Sequence, residues 1–172
     1  QSVWISIDKL LHHLSMNPSM NTSTHDTPDN AHIHHSLPKL TLAASSEHLH
    51  EVLKATLDPL HYQLFAAHSA TECLKIIEDS KVVFVDLILE DMDGLSLIEE
   101  IRSRYRTMHI IAIMCKDELA AIDMTADNIT LMAAQSGANA VFIAPFNLAE
   151  LLTTVDRFAK ILNFQSNKKL PS

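Results

Sequence analysis

Asp86 is the residue whose position best suits it to chemistry. It ends the apolar run Val82-Val83-Phe84-Val85 and opens the stretch Asp86-Leu87-Ile88-Leu89-Glu90-Asp91-Met92-Asp93-Gly94. A carboxylate at a strand end can bind a metal or accept a phosphoryl group, and its plain alternative is a solvated side chain. Other reactive groups are scattered. Cys73 and Cys115 stand alone without metal-type spacing, which fits a reducing compartment better than a disulfide scaffold. Among eleven histidines, His32, His34 and His35 lie near Asp26 and Asp29. A transition metal could bind there, but nothing would orient the rings, and incidental polar composition is the preferred reading. No Gly-rich phosphate loop, nucleophile elbow or zinc signature occurs.

The elements that must position Asp86 are legible from residue 39 onward. Five short apolar runs recur: Leu40–Ala44, Tyr62–Ala66, Val82–Val85, Ile110–Ile113 and Ala140–Ile143. Strands apolar on both faces belong inside a parallel sheet covered by helices. Between them the period is helical, with one stripe at Leu49, Val52, Leu53 and Leu57 and another at Leu148, Leu151, Leu152, Val155 and Leu162. Ser69 with Glu72, and Asn147 with Glu150, have the spacing of capping boxes. The chain has only two glycines, so each should mark a place where the backbone needs one. Gly94 follows Asp93 in a turn before a helix, and Gly137 sits where a helix should end in a left-handed cap. Five βα units predict a doubly wound sheet, whose site lies beyond the carboxyl ends of the strands. The positions there are Ala44-Ser45-Ser46-Glu47, Asp86, Met114-Cys115 and Ala144-Pro145.

Upstream, residues 1–16 read as an amphipathic helix with Val3, Trp4, Ile7, Leu11 and Leu14 on one face, a candidate interface for a homodimer. Residues 17–38 read as a polar linker, and 163–172 as a C-terminal tail. The chain opens on Gln1 rather than Met, so a fragment or processed chain is expected. A net charge of −8 with no Lys/Arg cluster argues against nucleic acid and anionic membranes. No run is long enough to span a bilayer and no signal-peptide pattern opens the chain, so a cytoplasmic location is expected.

Asp86–Gly94 with Leu95-Ser96-Leu97-Ile98-Glu99-Glu100-Ile101-Arg102 resembles the third strand, loop and third helix of response-regulator receiver (CheY-like) domains. Gly137-Ala138-Asn139-Ala140-Val141-Phe142-Ile143-Ala144-Pro145-Phe146-Asn147-Leu148-Ala149-Glu150-Leu151-Leu152 resembles that family's fifth strand and helix. The similarity covers about 39–162. It implies a flavodoxin-like five-stranded parallel sheet of order 2-1-3-4-5. It also implies that Asp86 matches the aspartate phosphorylated by a histidine kinase. Two acidic residues after the first strand, and the carbonyl matching Ile88, would hold Mg²⁺. A Thr or Ser after the fourth strand and a Lys after the fifth would grip the phosphoryl oxygens, so that metal and cations neutralise the transferred charge.

The chain departs from that pattern at nearly every supporting position. The acidic pair falls on Ala44 and Ser45, the Thr/Ser on Met114, the Lys on Ala144, and the switch aromatic on Val141. Glu90 replaces the Pro usual four residues after the aspartate. Glu47, Glu90 or Asp91 are the candidates to reach a metal, and Lys116 the candidate to reach a phosphate, though each is also an ordinary solvated charge. The segment Lys116–Ser136 is longer than usual, and Asp123-Met124-Thr125-Ala126-Asp127-Asn128 would break its helix or add a turn. That is either a reshaped interface or a harmless insertion. The resulting expectation is a non-enzymatic, atypical receiver in bacterial two-component signalling. It would act as a protein-interaction module without aspartyl phosphorylation, with no cofactor and with a signalling protein or output domain as partner. The alternative is a working phospho-acceptor at Asp86 with a rebuilt Mg²⁺ site. An enzyme is the weakest reading, because nothing flanking Asp86 supplies a base, a metal shell or an oxyanion donor.

Overall fold

A computed structural model describes residues 37–166, with side chains through Lys160. The expected N-terminal helix with Val3, Trp4, Ile7, Leu11 and Leu14, and the histidines of the linker, lie outside the described residues. So does the tail beyond Ser166 and the side chain of Leu162.

The five expected strands form, each within a residue or two of its apolar run. They are β1 (Lys39–Ala43), β2 (Gln63–Ala67), β3 (Val82–Asp86), β4 (His109–Cys115) and β5 (Ala140–Ala144). All pair in parallel, in the order β2-β1-β3-β4-β5, which is the flavodoxin-like arrangement the resemblance implied. The helices are α1 (Glu47–Leu57), α2 (Ala70–Ile76), α3 (Gly94–Arg104), α4 (Lys116–Ala121), α5 (Ala126–Ser136) and α6 (Leu148–Ser166). The last helix runs past residue 162, where the sequence pattern had placed its end.

Alternation along the strands divides the core in two. Val83, Val85, Ile110, Ala112 and Met114 join Leu97, Ile98 and Ile101 of α3, Cys73 of α2, and Ile129 and Ala133 of α5. Val82, Phe84, Ile111 and Ile113 join Leu53 and Leu57 of α1 and Leu151, Val155 and Phe158 of α6. Every side chain of β3 is buried, as a central parallel strand requires.

Helix ends follow local chemistry. Ser69 Oγ accepts from Glu72 N–H at 3.1 Å, while Glu72 reaches back to His68 N–H at 2.8 Å, one residue before the position of an ordinary capping box. Asn147 Oδ1 accepts from Ala149 N–H at 2.9 Å. Gly137 ends α5 at φ 116°, the left-handed cap its position predicted. The long segment after β4 resolves into two helices. α4 stops at a turn with Asp123 at φ 53°, and Thr125 then caps α5 by accepting from Asn128 N–H at 3.2 Å.

Arg102 joins the end of α3 to the start of β5. Its guanidinium donates to the carbonyls of Gly137 (2.7 Å), Met108 (2.8 Å) and Arg106 (2.9 Å) and to Asn139 Oδ1 (2.9 Å). Asn139 Oδ1 also accepts from Ile110 N–H at 2.8 Å, so one amide oxygen serves both α3 and β4. Truncation in Arg102→Ala leaves several acceptors without their charged donor. At a half-buried site this should cost about 2 kcal/mol, read as a lower urea midpoint with an unchanged slope.

Candidate site at the carboxyl end of the sheet

Asp86 is the last residue of β3 and is 7% exposed, so the solvated strand-end reading does not hold. The chain turns at once: Leu87 N–H donates to Ile113 O at 2.9 Å, and Gly94 N–H returns to Leu87 O at 3.1 Å. Asp86 Oδ1 accepts from Ile88 N–H at 3.0 Å. Burial is the strongest influence on this carboxyl and penalises its charged form. The Ile88 amide favours the charged form, the carboxylate of Glu118 opposes it, and the net result pushes the pKa up to about 6.

The neighbouring strand ends carry little charge to compensate. Ala44, one residue past β1, is fully buried, and its N–H donates to Ala67 O at 3.0 Å. Ser45 and Ser46 are exposed, and Ser46 caps α1 by accepting from Leu49 N–H at 3.3 Å. Met114 is buried in the same apolar cluster as Leu87. Val141 and Ala144 are half-buried on β5, and the Ala144–Pro145 bond is cis. The structure thus brings Asp86, Ala44 and Met114 to one end of adjacent strands, with Ala144 on the edge strand beside β4.

The candidate substitutes are placed less favourably. Asp91 faces away, toward α2: its oxygens accept from Ala70 N–H (2.8 Å), Thr71 N–H (2.9 Å) and Thr71 Oγ1 (2.8 Å). Those bonds hold its carboxyl down to about 2. Glu47 is exposed and lies 3.8 Å from His68 Nδ1. Glu90 and Lys116 are exposed. Among the described residues no group of three or more His, Cys, Asp or Glu is placed to hold a metal ion.

Sequence reasoning passed over two groups. Glu118, the third residue of α4, influences Asp86 and accepts from Cys115 N–H at 3.0 Å. The spacing of a strand-end residue followed three later by Glu is a capping signal that could have drawn attention to it. His50 lies in the core at 6% exposure, where Nε2 donates to Ala44 O at 2.8 Å and Nδ1 has no partner. No local signal marks it, because its neighbours on α1 share an ordinary amphipathic pattern. Gly94 approaches the Asp86 carbonyl too closely to admit a side chain.

The model of the response regulator receiver domain matches residues 42–156, which run from the end of β1 through β5 and into α6. The chain belongs to that family. The receiver is 37% identical over 110 residues to the transcriptional regulatory protein KdpE of Staphylococcus aureus. That match covers 61% of this chain and 43% of KdpE, so the chain corresponds to less than half of that relative's length. It is 30% identical over 112 residues to the chemotaxis protein CheY1 of Helicobacter pylori, covering 63% of this chain and 86% of CheY1. The signal receiver domain of a LuxO repressor protein from Vibrio parahaemolyticus superposes with a TM-score of 0.66 at 20% identity, over 78% of this chain and 98% of that one. At that identity the likeness speaks for the fold. Among the described residues no helix is long and apolar enough to cross a membrane.

Proposed function

We propose that this receiver works in two-component signalling as a protein-interaction module whose state is set without phosphorylation of Asp86. The supporting observation is a buried carboxylate without cationic support: the strand ends beside it carry the methyl of Ala44, the thioether of Met114 and the methyl of Ala144. Phosphoryl transfer relies on positioned positive charge to neutralise the incoming oxygens. Here the charged side chain that influences Asp86 is another carboxylate, Glu118, which repels an anion. Mg²⁺, the ion receivers use at this place, takes hard oxygen ligands in near-octahedral geometry. Asp86 and the exposed Ser45 hydroxyl are a poor set for it, and Asp91 is committed to capping α2. The residues present do not fit the ion.

On this reading Asp86 keeps the place of the phospho-acceptor, and Ala44, Ser45, Met114, Val141 and Ala144 are positions where its machinery has been lost. The partner is a signalling protein or an output domain, and the stretch with Val3, Trp4, Ile7, Leu11 and Leu14, read from the sequence alone as an amphipathic helix, is a candidate dimer contact. Incubation with acetyl phosphate and Mg²⁺, followed by intact-mass measurement, tests the reading. No phosphoryl adduct is expected. An adduct that disappears in Asp86→Asn would establish the working phospho-acceptor instead.

A further inference from the structure

Glu118 belongs to α4, the short helix that interrupts the alternation of strand and helix, and it lies at the same end of the sheet as the buried carboxylate. Its Oε2 accepts from Cys115 N–H at 3.0 Å, which holds the carboxylate at the end of β4. That end adjoins Asp86: Asp86 pairs with Ile113, and Leu87 N–H donates to Ile113 O. The next residue, Leu119, is buried in the apolar cluster that contains Leu87 and Met114. Glu118 is therefore pinned on one side by its hydrogen bond and on the other by a core side chain. It cannot leave the end of β4 without giving up the cap. Two carboxylates share this end of the sheet, and Ala44, Met114 and Ala144 put no cation between them.

We propose that Glu118 senses the charge on Asp86 and transmits it to α4. A charged Asp86 opposes the Cys115–Glu118 cap and loosens Lys116–Ala121, whereas a neutral group at the same place lets the cap close. The inference rests on the reading that phosphorylation does not set the state of this site, and it supplies a route for a signal in its place. α4 is a sensitive receiver of that signal. A helix of six residues is far below the length at which helices are stable alone, so its cap and Leu119 carry much of its stability. Coupling is reciprocal, so a partner that covers α4 shifts the ionisation of Asp86 in return.

Amide hydrogen exchange on the full chain at neutral pH tests this, using wild type, Asp86→Asn, Glu118→Gln and the double variant. Exchange across Lys116–Met124 is compared with the amides of α6 in each protein, so that a change in global stability cancels. Asp86→Asn should slow the α4 amides about fivefold, the lower end of ordinary site-to-site coupling, and should have no such effect in the Glu118→Gln background. Asp86→Ala, which removes the charge with a different shape, should repeat the result. Equal slowing in both backgrounds would show that Glu118 is only a cap, and no slowing would show that α4 does not sense Asp86. Either outcome overturns the proposal. All four proteins are unphosphorylated, so such a failure is distinct from the appearance of a phosphoryl adduct, which would overturn the reading on which the proposal rests.

Discussion

Replacing Asp86 with Asn should stabilise the domain by about 3 kcal/mol above pH 6 and leave it nearly unchanged near pH 4. The native carboxyl titrates at about 6, against an ordinary value of 3.8. Between those values the folded protein holds a proton that the unfolded chain has released, so stability falls as pH rises through the window. Above it the folded state carries the full cost of a buried charge, a rise in pKa of about two at about 1.4 kcal/mol for each. Asparagine resembles the protonated acid in shape, and its side-chain oxygen can still accept from Ile88 N–H, the bond made at 3.0 Å by Asp86 Oδ1. The variant therefore removes the penalty and keeps the bond. Urea unfolding of both proteins from pH 4 to pH 8 is the measurement. Two curves that stay parallel across the range would mean that Asp86 pays no desolvation cost in the native state.

Gly94→Ala should act in the opposite direction and be at least as large. A Cβ built on Gly94 would stand 2.5 Å from the Asp86 carbonyl oxygen and 2.5 Å from Leu87 Cα. Both atoms are backbone, in the turn directly after the buried strand, so no side-chain rotation relieves the contact. Alanine normally gains up to about 1 kcal/mol over glycine inside a helix. At the first residue of α3 that gain is smaller, and overpacking against fixed backbone costs about 3 kcal/mol or more. The clash wins. The expected results are a lower melting temperature and amide chemical-shift changes concentrated at Asp86–Ile88. A melting temperature equal to that of the wild type would show that the turn yields freely.

The fold was legible because its signals are local and repeated. Five apolar runs gave five strands, and the stripe through Leu53 and Leu57 gave the buried face of α1. Gly137 was readable because a helix end in a chain with two glycines is a strong positional cue. The strand pattern placed Ala44, Met114 and Ala144 at the carboxyl end of the sheet, and the family resemblance supplied the roles those positions would otherwise fill. What stayed hidden was long-range or depended on orientation. Asp91 looked like a free carboxylate beside the site, yet its oxygens serve amides about twenty residues earlier in the chain. Arg102 entered the sequence reading only as the last residue of the third-helix motif, yet it donates to Gly137 and Asn139, more than thirty residues away. Gly94 was expected to serve a turn, but its requirement is space beside a backbone carbonyl.

Asp91 makes the loop after β3 and the first turn of α2 a single opening unit. Two amides and one hydroxyl of α2 are held by a side chain that the loop carries, so neither segment can detach and leave the other fully bonded. Native-state exchange would show Ala70, Thr71 and the amides of the loop opening with a shared free energy, below that of the β3 interior. The carboxylate stays charged until the pH falls to about 2, so this latch survives acid conditions in which Asp86 is already neutral. Proton uptake at the buried site and release of the loop around it are thereby separated by some four pH units, and a change in the charge of Asp86 takes place inside a frame that does not itself come apart.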